Sequence, residues 1–140
     1  MDRVIKFRGK CSETYTGYLN QWIYGGYTKG KKGQSYILDG TMQLKVYSET
    51  VEQFTGFKDI DGKEIFEGDI IQNQEYPELI YCVEMIGGCW SVDYHEDADF
   101  DSVALNWLLA MAPFKVIGNI HDNPELLEGG KADDYSNIMK

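Results

Sequence analysis

The sequence predicts a mostly β fold: a small barrel-like or sandwich core of short antiparallel strands and hairpins, one amphipathic helix at about residues 101–112 and a short C-terminal helical turn. Three observations carry that expectation. Short runs rich in β-branched and aromatic residues recur along the chain, glycine-containing turn signals separate them, and only one stretch repeats its apolar residues at helical spacing. With 140 residues, 43% of them hydrophobic, the chain can bury a core without staples, and one domain over residues 1–128 with a polar, flexible tail over 129–140 is expected.

The elements follow in order. Val4 to Arg8 alternates like a strand, and it reaches charge too early to hold the apolar core of an export signal. Trp22 to Thr28 and Ser35 to Leu38 flank the Lys29-Gly30-Lys31-Lys32-Gly33 tip as the arms of a long hairpin, and Thr41 to Tyr47 and Glu52 to Lys58 continue the pattern. Around Asp61-Gly62 the charges select the register. A two-residue loop would set Asp59 against Glu64, whereas a three-residue loop, Ile60-Asp61-Gly62 with Gly62 left-handed, pairs Asp59 with Lys63, Lys58 with Glu64 and Phe57 with Ile65.

Glu67-Gly68-Asp69 then reads as a tight turn into the buried strand Ile70-Ile71-Gln72. A second hairpin spans Leu79 to Tyr94 around Gly87-Gly88, pairing Met85 with Trp90, Val83 with Val92 and Tyr81 with Tyr94 as one apolar face. The helix is expected to start at an Asp101 cap with Phe100 stapled to Leu105. It presents Ala104, Trp107, Leu108 and Met111, and ends before Pro113. Phe114 to Ile120 returns to strand, and Asn123-Pro124-Glu125-Leu126-Leu127 reads as a capped helical turn with proline at its first position.

Composition narrows the function classes. Cys11, Cys82 and Cys89 form no Cys-x-x-Cys pair, so neither a disulfide framework nor a zinc knuckle is indicated, and a reducing cytoplasm fits. Two histidines, His95 and His121, leave few general bases for catalysis, and no apolar run approaches the roughly 20 residues of a membrane helix. The net charge of −10 is uneven: residues 1–45 hold eight Lys/Arg against three Asp/Glu, and residues 64–140 hold three against sixteen. A net-acidic protein is repelled by nucleic acid at long range, unless its basic third forms one face.

Several blocks carry a family likeness. Ile5-Lys6-Phe7-Arg8-Gly9-Lys10, Trp22-Ile23-Tyr24-Gly25, the run from Val51 to Ile71, then Val116-Ile117-Gly118-Asn119-Ile120 and Asn123-Pro124-Glu125-Leu126-Leu127 resemble, in order and spacing, the YopX family. The likeness covers about residues 4–128, and Glu52 stands where such proteins often have glycine. The resemblance implies a largely β protein of phage or prophage type, with no assigned activity and no catalytic residues to transfer.

Each candidate site has a plainer reading beside it. Asp59-Ile60-Asp61-Gly62 suggests a calcium loop, but aligning Gly62 to the sixth loop position leaves Phe57 and Gly68 where carboxylates are required. Asp61, Gly62, Gly68, Asp69, Gly87 and Gly88 are therefore assigned as structural turn residues. His95, Glu96, Asp97 and Asp99 gather an imidazole and carboxylates ahead of the helix, yet a solvated capping loop accounts for them, so no metal or cofactor is expected. Lys6, Arg8, Trp22, Lys29, Lys31 and Lys32 have the composition of a single-strand binder, set against aromatics that pack the core and lysines that keep an edge soluble.

These readings favour an accessory phage binding protein without chemistry of its own, acting through protein contacts, as a homo-oligomer or on a host or phage protein. The alternatives are a nucleic-acid-binding module using the basic third, an acidic DNA-mimic decoy using the carboxylates of residues 64–101, and a metal-dependent hydrolase at His95.

Overall fold

A computed structural model describes residues 4–93 and 102–128. The chain divides into two compact units, Met1–Gly56 and Phe57–Lys140. The architecture is mostly β, as two antiparallel sheets. Among the described residues neither sheet closes into a barrel.

In the first unit, β1 (Phe7–Lys10), β2 (Trp22–Lys29), β3 (Ser35–Asp39), β4 (Met42–Val46) and the start of β5 (Glu52–Lys58) lie in the order β4-β3-β2-β1-β5. Strand alternation sends Ile23, Ile37, Leu44 and Val46 to one face, where they form a core with Cys11, while the opposite face receives the intervening residues. The β2–β3 hairpin turns as its glycines require. Gly30 and Gln34 close it, and Gly33 sits at φ +86° and donates its N–H to the Gly30 carbonyl.

β5 runs on through Gly56 to its hairpin partner β6 (Glu64–Phe66). The turn between them has the predicted three-residue form: Asp59 N–H donates to the Lys63 carbonyl at 2.8 Å, Gly62 N–H to the Asp59 carbonyl at 3.0 Å, and Gly62 has φ +85°. The second sheet has the order β10-β9-β8-β7-β11, built from β7 (Asp69–Asn73), β8 (Ile80–Ile86), β9 (Cys89–Asp93), β10 (Ser102–Ala104) and β11 (Phe114–Asn119). Positive φ at both Gly87 and Gly88 makes the β8–β9 turn a two-residue type I′ loop, and the registers Val83↔Val92 and Met85↔Trp90 follow as predicted.

The apolar face of that hairpin is shorter than its register suggested. Val83 and Val92 are fully buried and Tyr81 nearly so, but Met85 is 46% exposed. The core cluster packs against the partly buried Trp90 but not against Met85, which stands across from it at the same level of the hairpin.

The helix also differs. It is α1, Leu105–Met111, and Ser102–Ala104 extends as β10 against β9, with Val103 opposite Val92. An available strand partner claims these three residues, a competition that helical periodicity does not register. Ala104 occupies the N-cap without a side-chain bond; the expected Asp101 cap and Phe100 staple lie outside the described residues, as does Tyr94. Leu105 and Leu108 enter the core with Ile71, Tyr81, Val83, Val92 and Phe114, so the inward stripe is theirs and not that of Trp107 and Met111. The C-terminal turn is present as α2, Glu125–Glu128. Asn123 Oδ1 accepts the Asn119 N–H at 3.2 Å, tying the entry of this turn back to the end of β11. Among the described residues, no helix is long and apolar enough to cross a membrane.

Candidate interaction surfaces

The acidic turn residues are absorbed by the backbone. Asp59 is buried, and its carboxylate accepts three N–H groups: Asp61 at 2.9 Å and Lys63 at 2.8 Å on Oδ1, Val116 at 2.9 Å on Oδ2. Asp69 is buried too and accepts the Phe66 N–H at 2.8 Å, while Gly68, at φ +84°, makes the turn that leads into it. Asp61 stands at the surface and meets Lys115 Nζ at 3.5 Å, an exposed pair of little energetic weight. The turn assignments therefore have a structural account at Asp61, Gly62, Gly68, Asp69, Gly87 and Gly88.

On β4 the Lys45 N–H is taken by Glu13 at 2.8 Å, beside the bridge that Cys11 makes to Val46. β6 and β11 each lie at a sheet edge, and each has an N–H directed away from its strand partner and taken by a carboxylate, Phe66 by Asp69 and Val116 by Asp59. A carboxylate oxygen stands where the carbonyl of an additional strand would stand. The Ser12 N–H also donates to the Lys45 carbonyl and the Ile60 N–H to the Phe114 carbonyl, which occupies further edge groups on β4 and β11. Glu13 is used twice. Its hydrogen bond with the exposed Tyr15 phenol, and then its charge, raise the Tyr15 pKa above the ordinary value.

The basic candidates separate into two groups. Lys29, Lys31 and Lys32 are exposed around the β2–β3 turn. Arg8 is 4% exposed and cannot present its charge to a ligand: its Nε and NH2 donate to Glu52 Oε1 at 3.0 and 2.9 Å, and its guanidinium lies 4.6 Å from the Trp22 ring centre. Burial demands this pairing, because an uncompensated guanidinium there would lose its hydration without return. Sequence reading placed Arg8 among ligand-binding residues because its partner, Glu52, is 44 positions away. Lys6 and Lys10 share the face, at 5.8 Å from the Phe54 ring and 5.5 Å from the Trp22 ring. His95, Glu96, Asp97 and Asp99 lie outside the described residues, among which no group of three or more His, Cys, Asp and Glu side chains could hold a metal.

The family described as YopX protein matches residues 6–128. The chain belongs to the YopX family. Its structure is similar to that of protein EF1440 from Enterococcus faecalis, at 21% identity over 90% of this chain and 99% of that one, with a TM-score of 0.53. It is also similar to YopX from Bacillus subtilis, at 24% identity over 86% of this chain and 96% of that one, with a TM-score of 0.51. At these identities the likeness is one of fold. No curated protein matches the chain significantly.

The YopX-like blocks have physical reasons in this chain. A Cβ on Gly25 would lie 1.9 Å from the Leu38 carbonyl oxygen, and one on Gly118 would lie 2.9 Å from Leu126 Cδ1 and 2.5 Å from Asn123 Oδ1. The glycine of the Ile-Gly-Asn-Ile block thus makes room for the Asn-Pro-Glu-Leu block in this chain. At Glu52 this member has the counterion of its buried Arg8.

Proposed function

We propose that this YopX-family protein is an accessory binding protein of phage type, working in the cytoplasm of a bacterial host through contacts with other proteins, further copies of itself included, without chemistry of its own. The observation that carries this reading is the distribution of charge over the two compact units. Residues 1–56 hold eight Lys/Arg against five Asp/Glu, net +3, and residues 57–140 hold five against eighteen, net −13. Because each sign is concentrated in its own unit, complementary surfaces on two copies attract head to tail. The carboxylate-capped edges favour this route over strand addition. Exposed apolar surface supports it as well, since Trp107 and Met111, one turn apart on α1, are 51% and 63% exposed.

Light scattering tests self-association directly. At low salt the mass should exceed the 16.0 kDa of the chain and fall as salt approaches molar strength, where the screening length is about 3 Å. A monodisperse monomer at millimolar concentration and low salt refutes self-association. A pull-down from host lysate whose captured proteins all disappear on nuclease treatment refutes protein contacts altogether.

A further inference from the structure

Each compact unit carries charged side chains that lack a counterion. At the β2–β3 turn Lys29, Lys31 and Lys32 are exposed, and among the described residues none of them has an ion pair or a side-chain hydrogen bond. The turn that carries them is fixed. Gly30 N–H bonds the Gln34 carbonyl at 2.7 Å, Gln34 Oε1 accepts the Lys32 N–H at 3.0 Å, and Lys29 Cε lies 4.0 Å from where a Cβ on Gly33 would stand. Glu49, beside the Ser48 hydroxyl that meets Ser35 Oγ at 2.9 Å, is exposed and forms no ion pair. Three like charges on one tight turn repel one another, and an external anion relieves that repulsion.

Most described carboxylates of residues 57–140 are already engaged. Asp59 and Asp69 accept backbone N–H groups, Asp61 meets Lys115, and Glu64, Glu67, Asp93 and Asp122 have partners of their own. Glu75, Glu78, Glu84 and Glu125 are exposed and unengaged. Of these, Glu75 and Glu78 share the β7–β8 loop, where Tyr76 between them is 59% exposed. The loop is pinned from within: Asn73 Oδ1 accepts the Glu75 and Tyr76 N–H groups at 2.8 and 2.9 Å, and Gln72 Nε2 donates to the Pro77 carbonyl at 2.9 Å. Gln74 N–H bonds the Pro113 carbonyl at 2.8 Å and so ties the loop to the chain just beyond α1, two residues from the exposed Met111.

We propose that the Lys29-Gly30-Lys31-Lys32-Gly33 turn of one copy docks on the β7–β8 loop of the next, its ammonium groups meeting Glu75 and Glu78 and a lysine stem lying on the Tyr76 ring. A ring flanked by carboxylates recognises both parts of a lysine side chain, since the ring face takes the methylenes and attracts the cation while the carboxylates neutralise it. The occupant is a second copy because one chain carries both halves, a turn with three lysines and a unit of net charge −13, and neither half is engaged within the chain. Both loops are fixed by their own hydrogen bonds before contact, so docking orders little beyond the lysine side chains. Turn on loop is a heterologous contact, which generates a ring where the rotation closes. This inference rests on the self-association proposed above and names the surfaces that carry it.

The test is sedimentation velocity of the full chain at low salt. Lys31→Glu with Lys32→Glu, and separately Glu75→Lys with Glu78→Lys, should each weaken assembly about tenfold or more, because like charges then face one another. An equimolar mixture of these two double variants should restore it, since the reversed turn of one fits the reversed loop of the other. Both variants remain net acidic, so bulk attraction does not produce that recovery. Tyr76→Ala should weaken assembly about two- to fivefold. Glu84→Lys with Glu125→Lys, the same charge change elsewhere in the unit, should have a smaller effect than the change at Glu75 and Glu78; circular dichroism verifies that every variant is folded. A native chain that stays monomeric overturns this inference and self-association together. Assembly that persists in either the lysine or the Glu75 and Glu78 double variant, a mixture of the two that stays monomeric, an unchanged constant for Tyr76→Ala, or an equal loss from the Glu84 and Glu125 change overturns the docking assignment alone.

Discussion

Replacing Asp59 should release the β5–β6 turn from β11. In the native chain its carboxylate takes the Asp61 and Lys63 N–H groups on one oxygen and the Val116 N–H on the other. Asp59→Ala removes all three acceptors, with unequal consequences. Asp61 and Lys63 are exposed, so water replaces most of what their N–H groups lose. Val116 is buried, and its N–H is left without a partner, at a cost of about 1–3 kcal/mol. With a smaller sum for the two turn bonds, the expected loss is about 3 kcal/mol. Asp59→Asn is the sharper case, because an amide has one acceptor oxygen and one NH2 group. Kept toward the turn, that oxygen leaves the NH2 facing the Val116 N–H; flipped, it forfeits both turn bonds. Asparagine should therefore cost at least half as much as alanine. Urea unfolding in a Trp22→Phe background, where Trp90 and Trp107 report on residues 57–140, measures both variants. An Asp59→Asn protein within about 0.5 kcal/mol of its parent, the usual scatter of neutral surface changes, would refute this account of the turn.

The Arg8–Glu52 pair should behave as a buried unit. Arg8→Ala or Glu52→Ala strands the other charge and should cost about 3–5 kcal/mol, whereas an apolar pair such as Arg8→Met with Glu52→Leu should recover most of it. Additive single and double variants in a chemical denaturation cycle would argue against that coupling. Gly62→Ala and Gly118→Ala should both destabilise, for different reasons. At Gly62 there is open space and the cost is conformational, about 1 kcal/mol, from a left-handed φ of +85°. At Gly118 the added methyl must displace Asn123 and Leu126, at about 1–3 kcal/mol. Thermal unfolding reads both, and faster proteolysis near α2 should appear in Gly118→Ala but not in Gly62→Ala.

Local sequence decided the turns. The charges about Asp61-Gly62 chose a three-residue loop, the Gly87-Gly88 pair set a type I′ turn, and the alternating runs between them became strands, because turn geometry and strand periodicity are properties of neighbouring residues. The YopX likeness was legible for the same reason, since its blocks coincide with these turns and with the close approach of Gly118 to Leu126. Tertiary structure decided which side chains are buried and what they meet. Met85, Trp107 and Met111 lie at periodic positions yet stay exposed, and Ser102–Ala104 forms a strand only because β9 is there to pair with. Arg8 and Glu52, 44 residues apart, neutralise each other, and Asp59 reaches Val116 across 57. Lys10, Trp22, Tyr36 and Lys45 come to one face only through the registers of four strands. Local preference acts over a few residues, whereas burial and partner choice depend on chain segments that only folding brings together.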